Sequence, residues 1–140
     1  MRSPDVAVGE RFVQALLAKD WTRVENAVDP EIDFRALTPG RPWEATTRKD
    51  LIEDVFQQWF GPSDEIYEIL AISTDRVLGR NRVVYRFRLR NPDGDYVSEQ
   101  TAYYDEAKGR ITNLRILCTG RMLSATGDRV AALDLMTTEA

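Results

Sequence analysis

The stretch Arg82-Val83-Val84-Tyr85-Arg86-Phe87-Arg88-Leu89-Arg90 decides the fold. Successive side chains of an extended chain point to opposite faces, so Val83, Tyr85, Phe87 and Leu89 share one side. Arg82, Arg86, Arg88 and Arg90 share the other, with Val84 among them. The pattern predicts a strand whose apolar face meets helices and whose arginines point away from any cavity. Two readings of the outer face are open. One is a solvated surface balanced by Glu99 and Asp105 of the adjacent strand. The other is a sheet-to-sheet dimer interface in which Thr101 and Tyr103 also take part.

Outward from this strand the same period of two recurs. Ile66 to Ser73, Tyr96 to Asp105 and Arg110 to Thr119 read as three further strands. Asn91-Pro92-Asp93-Gly94 and Glu106-Ala107-Lys108-Gly109 are turns, and such short connections make the neighbours antiparallel. Upstream the period changes to that of helices. A first helix is predicted from near Ser3, with Pro4 in its first turn and Val8, Phe12, Ala15 and Leu16 on one stripe. Asp20 is the expected cap of a short helix carrying Trp21, Val24 and Val28, stopped by Pro30. Glu31 to Leu37 alternates as a short strand, and Pro39-Gly40-Arg41-Pro42 reads as a loop. Thr46 or Thr47 caps a third helix with Leu51, Ile52, Val55, Phe56, Trp59 and Phe60 on its apolar face, and Gly61-Pro62 ends it.

Composition narrows the class. A chain of 140 residues with 43% hydrophobic and 30% charged residues suits one soluble globular domain. Its net charge of −4 argues against a nucleic-acid partner. The single cysteine, Cys118, excludes an internal disulfide or a thiolate metal cluster. No apolar run approaches the about 20 residues of a membrane span, and Met1 to Asp5 lack the apolar core of a signal peptide. A cytoplasmic protein without metal or cofactor is expected. Histidine is absent, so any acid–base step near neutrality would need a displaced carboxylate, the cysteine or the terminal amine.

Four stretches stand out together: Phe12 to Trp21, Phe34 to Trp43, the helix end Trp59-Phe60-Gly61, and Gly109-Arg110-Ile111 opening the last strand. Through them the chain resembles, over about residues 5–123, the SnoaL-like branch of the nuclear transport factor 2-like superfamily. It implies an α+β fold: a cone-shaped, curved antiparallel sheet with a mixed edge, wrapped on N-terminal helices. Residues 1–123 then form one domain and 124–140 a tail, either a helical cap or disordered. A homodimer through the outer sheet face is the expected assembly. The fold hosts isomerases, cyclases, hydrolases and plain binders, so it leaves activity open.

The resemblance also implies departures. Ketosteroid isomerases are similar in layout, but their first-helix tyrosine matches Phe12 here, their later-strand acid matches Gln100, and their base falls near Arg35 or Ala36. Limonene-epoxide hydrolases are similar too, yet the positions of their polar triad match Val83, Tyr85 and Ile116. The cavity is thus expected to be apolar where those enzymes are polar.

Candidate site residues follow. Asp33 and Arg35 lie two apart on the short strand and share a side, either as an exposed ion pair or as a pair lining the cone. Gln100 and Tyr104 share a face with Ser98 and Ala102 that the resemblance turns inward. Asp33, Arg35 and Gln100 are therefore the candidates for catalysis, with Asp54 a second possible base. Phe12, Phe34, Trp43, Phe56, Trp59, Tyr85, Gln100, Tyr104 and Ile116 are the candidates for ligand contact, Trp43 as a gate on its loop. Cys118, on the face of Leu114 and Ile116, reads as inert core. Two functions remain open: binding of a small, mostly apolar molecule, or an isomerase or cyclase acting on a polyketide- or steroid-like substrate through a carboxylate.

Overall fold

The computed structural model describes residues 4–124. α1 (Pro4–Leu17) buries Val8, Phe12, Val13, Ala15, Leu16 and Leu17. The chain leaves it through Lys19, whose φ is 53°. Asp20 then caps α2 (Trp21–Ala27), its carboxylate accepting from the Arg23 N–H at 3.2 Å. The helix does not reach Pro30. Val28 opens β1 (Val28–Thr38) instead, because its fully buried side chain belongs to the sheet and pairs with Ile111. Pro30 is tolerated inside the strand because the pairing is irregular between Val28 and Asp33, where a missing N–H costs no ladder bond.

The Pro39-Gly40 turn, with Gly40 at φ 77°, leads directly into β2 (Arg41–Ala45). Trp43 is therefore on an edge strand opposite Ala36 rather than on a loop. Its indole N–H donates to Thr38 Oγ1 at 2.9 Å, and the Arg41 guanidinium lies 3.5 Å over its ring. These contacts fix Trp43 against the hairpin.

α3 spans 48–59 and starts at Thr47, whose hydroxyl accepts from the Asp50 N–H. Arg48–Asp50 and Gln57–Trp59 are α-helical, and Leu51–Phe56 between them is wound as a π-helix. Leu51, Ile52, Val55 and Phe56 are buried, while Glu53 and Asp54 face solvent.

The sheet continues through β3 (Glu65–Val77), β4 (Arg80–Asn91), β5 (Gly94–Ala107), β6 (Arg110–Cys118) and β7 (Met122–Leu123). Its order is β2-β1-β6-β5-β4-β3, with β7 beside β5. Among the described residues only the β1–β6 pair is parallel, and the sheet they form is open, with β2 and β3 at its edges. β3 and β4 run past the limits read from alternation and meet at a two-residue turn, Leu78-Gly79, with φ 51° and 80°. That turn carries little sequence signal because an exposed leucine occupies a left-handed position that Asn or Gly normally takes. Ser124 apart, the expectation about the tail lies outside the described residues.

The two faces of β4 are as different as its sequence. Val83, Tyr85, Phe87 and Leu89 are fully buried. On the outer face four arginines stand opposite carboxylates of the flanking strands: Arg82 with Asp75, Arg86 with Glu99, Arg88 with Glu68 and Arg90 with Glu65. Arg80 reaches Asp105 at 3.3 Å and Asn113 at 2.6 Å. Each exposed pair contributes little alone, about 0–1 kcal/mol, but a one-residue slip would misalign all of them.

Under the helices lies the core. Phe56 meets Phe12, Phe34 and Trp59 at centroid distances of 5.9, 5.8 and 5.5 Å, which joins α1, β1 and α3 in one aromatic cluster. No helix of the described residues is long and apolar enough to cross a membrane.

Candidate functional site

The helices do not cover the inner sheet face evenly. α1 lies across β3 to β6 and closes over Val83, Tyr104, Ile111 and Leu114. Space remains toward the other end of the strands, where a cavity of about 340 Å³ opens between the end of α3 and β4–β6. Its apolar wall is Trp59, Phe60, Phe87 and Leu89; its polar wall is Ser98, Gln100, Cys118, Asp64 and Arg121.

Strand parity builds the polar wall. Ser98 and Gln100 follow Ala102 and Tyr104 on the inner side of β5, and Cys118 stands opposite Gln100. Buried amides need partners. The Tyr85 hydroxyl donates to Gln100 Oε1 at 2.6 Å, and Gln100 Nε2 donates to Cys118 Sγ at 3.4 Å. The Gly120 N–H reaches the same sulfur at 3.3 Å. Ser98 Oγ donates to the Gly120 carbonyl at 2.8 Å and lies 3.8 Å from Sγ. Burial pushes the Tyr85 phenol well above its ordinary pKa, and the neighbouring Cys118 adds to this. Tyr85 is thus a neutral donor at physiological pH.

At the mouth, Arg121 ties the chain after β6 to the end of α3. Its guanidinium donates to the Trp59 carbonyl at 2.5 Å and to both oxygens of Asp64 at 2.9 and 3.2 Å. Asp64 also accepts from Asn91 Nδ2 and from the Gly61 N–H, each at 2.9 Å. Burial alone would raise this carboxyl, but the hydrogen bonds from Arg121, Asn91 and Gly61 and the Arg121 charge outweigh it, holding the pKa below its ordinary value. Lys19 completes the frame: its ammonium donates to the carbonyls of Gly61 and Asp64 at 2.8 and 2.6 Å. One polar atom of this region is left over. Trp59 is 9% exposed, and its indole N–H has no acceptor among the described residues.

Of the residues singled out from sequence, Gln100 and Trp59 line this cavity. Tyr85 touches it through Gln100. Phe12, Phe34, Phe56, Tyr104 and Ile116 are buried in the packed part of the core. Asp33 does not face the cone: it is exposed and pairs with Arg115 at 3.1 Å across the parallel β1–β6 pair. Arg35 shares that outer side and, with Trp43, Leu37, Arg115 and Leu117, borders an open groove of about 680 Å³. That groove is larger, but its rim is exposed leucine and arginine, which makes it surface relief rather than an enclosed site. Asp54 faces solvent.

Cys118 is half-buried in the cavity wall rather than inert core. Asp64, Ser98 and Arg121 were missed. Ser98 was legible from the parity of β5, whereas the Asp64–Arg121 pair joins residues 57 apart and leaves no local pattern. Among the described residues no cluster of potential metal ligands occurs.

No family sequence model matches the chain, and no curated protein matches it by sequence. Solved structures do. A Bacillus subtilis protein provisionally named an isomerase is 12% identical, with a TM-score of 0.69 over 83% of this chain and 86% of its own. A Shewanella putrefaciens protein provisionally named a SnoaL-like polyketide cyclase is 11% identical, with a TM-score of 0.64 over 84% and 91%. An LEH-like epoxide hydrolase from M. tuberculosis is 15% identical, with a TM-score of 0.60 over 82% of each chain. At such identities the likeness is one of architecture. Among the described residues, three helices laid on an open, mixed seven-stranded sheet give this chain the α+β architecture of these structures, the nuclear transport factor 2-like fold.

Proposed function

We propose that the chain binds a small, mostly apolar molecule carrying one hydrogen-bond acceptor, such as a cyclic ketone, in the cavity beneath α3. The observation that carries this reading is a cavity of about 340 Å³ in which the apolar side chains of Trp59, Phe60, Phe87 and Leu89 meet the polar group of Ser98, Gln100 and Cys118. The Gln100 amide, already held by Tyr85 and Cys118, supplies a polar group at fixed geometry in that wall. A thermal-shift comparison of cyclic ketones with hydrocarbons of the same skeleton tests this. Ketones are expected to stabilise the protein more, and Gln100→Leu to erase the difference. Equal shifts for both series in the wild-type chain would sink the reading.

The alternative is an isomerase or cyclase of a polyketide- or steroid-like substrate. Among the described residues Asp64 is the carboxylate in the wall, and it stands beside Phe60 and Leu89. Its hydrogen bonds to Arg121, Asn91 and Gly61 stabilise the ionised form and make it a weak base. Binding is therefore the better-supported function. Enolisation of a bound ketone, followed by deuterium exchange at its α-carbon and lost in Asp64→Asn, would favour catalysis instead.

We further propose a homodimer through the outer sheet face. Leu37, Leu117, Thr101 and Val84 stand opposite one another in register and form an uncharged row across four strands. Leu37 and Leu117 are each 52% exposed. Light scattering that gives a monomer mass at all concentrations would remove this assembly.

A further inference from the structure

We propose that Tyr85 is a positioning residue that decides which hydrogen-bonding group the cavity takes, an inference that rests on the small-molecule reading above. Through Gln100 it fixes the polar wall as a donor, so that ligands presenting an acceptor are selected over ligands presenting a donor. The basis is a chain of four hydrogen bonds whose direction is settled at both ends. At one end stands Tyr85, fully buried, whose hydroxyl has Gln100 as its one hydrogen-bond partner among the described residues. A buried donor without an acceptor is costly, so the phenol proton lies on Gln100 Oε1, at 2.6 Å. At the other end is the Gly120 carbonyl, which can only accept, and Ser98 Oγ gives its hydrogen to it at 2.8 Å.

Between these ends the direction propagates. With Oε1 turned to Tyr85, the Gln100 amide presents its nitrogen to Cys118 Sγ at 3.4 Å. The Gly120 N–H donates to the same sulfur at 3.3 Å. The thiol hydrogen is then left Ser98 Oγ, 3.8 Å away, whose own hydrogen is spent on Gly120. Turning the amide over would set its N–H groups against the Tyr85 hydroxyl and strand the phenol proton. The device needs an uncharged phenol, and burial keeps Tyr85 in that state. The amide nitrogen carries two hydrogens, of which Cys118 takes one. No acceptor among the described residues meets the other, although Gln100 is 2% exposed and borders the cavity. A ligand acceptor beside Gln100 meets that hydrogen, whereas a ligand N–H in the same place faces it donor to donor. A glutamine able to turn over would serve both.

Quinoline and indole test the polarity, being flat bicyclic molecules of similar size that offer an acceptor nitrogen and a donor N–H. Both are titrated at neutral pH and followed by amide-resolved NMR, with the Gln100 side-chain signals identified by their loss in Gln100→Leu. Quinoline is expected to bind about tenfold tighter than indole and to move the Gln100 side-chain signals. In Tyr85→Phe the amide is no longer held from turning over, and the preference should fall to within about threefold because indole gains. Lost packing alone would weaken both ligands alike and leave their ratio unchanged, and an unchanged ratio overturns the role of Tyr85. Equal affinities in the wild-type chain, with cavity residues shifted by both molecules, overturn the polarity and leave the binding site standing. Failure of both molecules to shift any cavity residue overturns the polarity and the binding reading together. Tyr85→Phe is read only if its unfolding stays cooperative. Gln100→Leu is the second variant, expected to bring quinoline down to the level of indole; a tenfold preference that survives in it puts the selecting donor elsewhere and overturns the proposal.

Discussion

The inner face of one sheet has two ends, and they behave differently. At the Tyr104 end the helix lies flush on the strands. A β-carbon added at Gly9 would come within 2.7 Å of Tyr104 Cζ, so only the absence of a side chain lets α1 approach so closely. At the Gln100 end, α3 arrives through a π-wound segment whose extra residue per turn widens the helix, and the Asp64–Arg121 pair then ties the chain that follows it to the segment after β6, across the mouth of the cavity. Similar strands thus give a packed core at one end and a cavity at the other. The difference lies in what sits above the sheet, and this is where variants are most informative.

The largest effect is expected where the two ends share one cluster. Phe56→Ala removes the ring that meets Phe12 of the closed end and Trp59 of the open end. Urea unfolding should show a loss of about 3–5 kcal/mol. A loss under about 1 kcal/mol would mean that α3 packs loosely and that the two ends are independent.

Gly9→Ala addresses the closed end alone. Forcing a methyl against Tyr104 should cost about 1–3 kcal/mol, and Tyr104→Phe in the same chain should recover part of it. Simple additivity of the two substitutions would deny the close approach.

Asp64→Asn addresses the open end and should cost about 1–2 kcal/mol at neutral pH, since one partly exposed ion pair and its hydrogen bonds are weakened. The folded carboxyl titrates below its ordinary value. Its stabilisation is therefore complete above the unfolded pKa of about 3.9 and is lost as pH falls through the lower, folded value. The gap between wild type and Asp64→Asn should persist from neutrality down to about pH 5 and narrow progressively as pH falls below the unfolded value. A gap independent of pH would assign the loss to packing.

The smallest effect belongs to the outer face. Arg86→Gln breaks the pair with Glu99 and should cost under about 1 kcal/mol, less at high salt. A larger, concentration-dependent loss would instead locate Arg86 in the proposed dimer interface.

The alternation around Arg82 to Leu89 was enough to separate the core from the arginine face, and each outer arginine then found its partner by register. Local pattern also placed both long helices and the Asn91 to Gly94 turn. It failed at Leu78-Gly79, where an atypical residue takes the turn, and at Trp43, where two prolines suggested a loop but a hairpin formed. For the site it was weaker still. Gln100 was legible because strand parity is a local property. Asp33 was placed on the right strand, but whether its side faced the cone waited on the β1–β6 pairing, which turned it toward Arg115.

Sequence by itself determined which residues could be buried, because period-two and helical patterns depend on backbone geometry that each segment carries alone. Tertiary structure decided which buried positions border empty space. That depends on how closely helices approach the sheet, and so on contacts such as Gly9 with Tyr104 and Asp64 with Arg121, which join residues far apart in the chain. A cavity is the space those distant contacts fail to close, and no single segment encodes it.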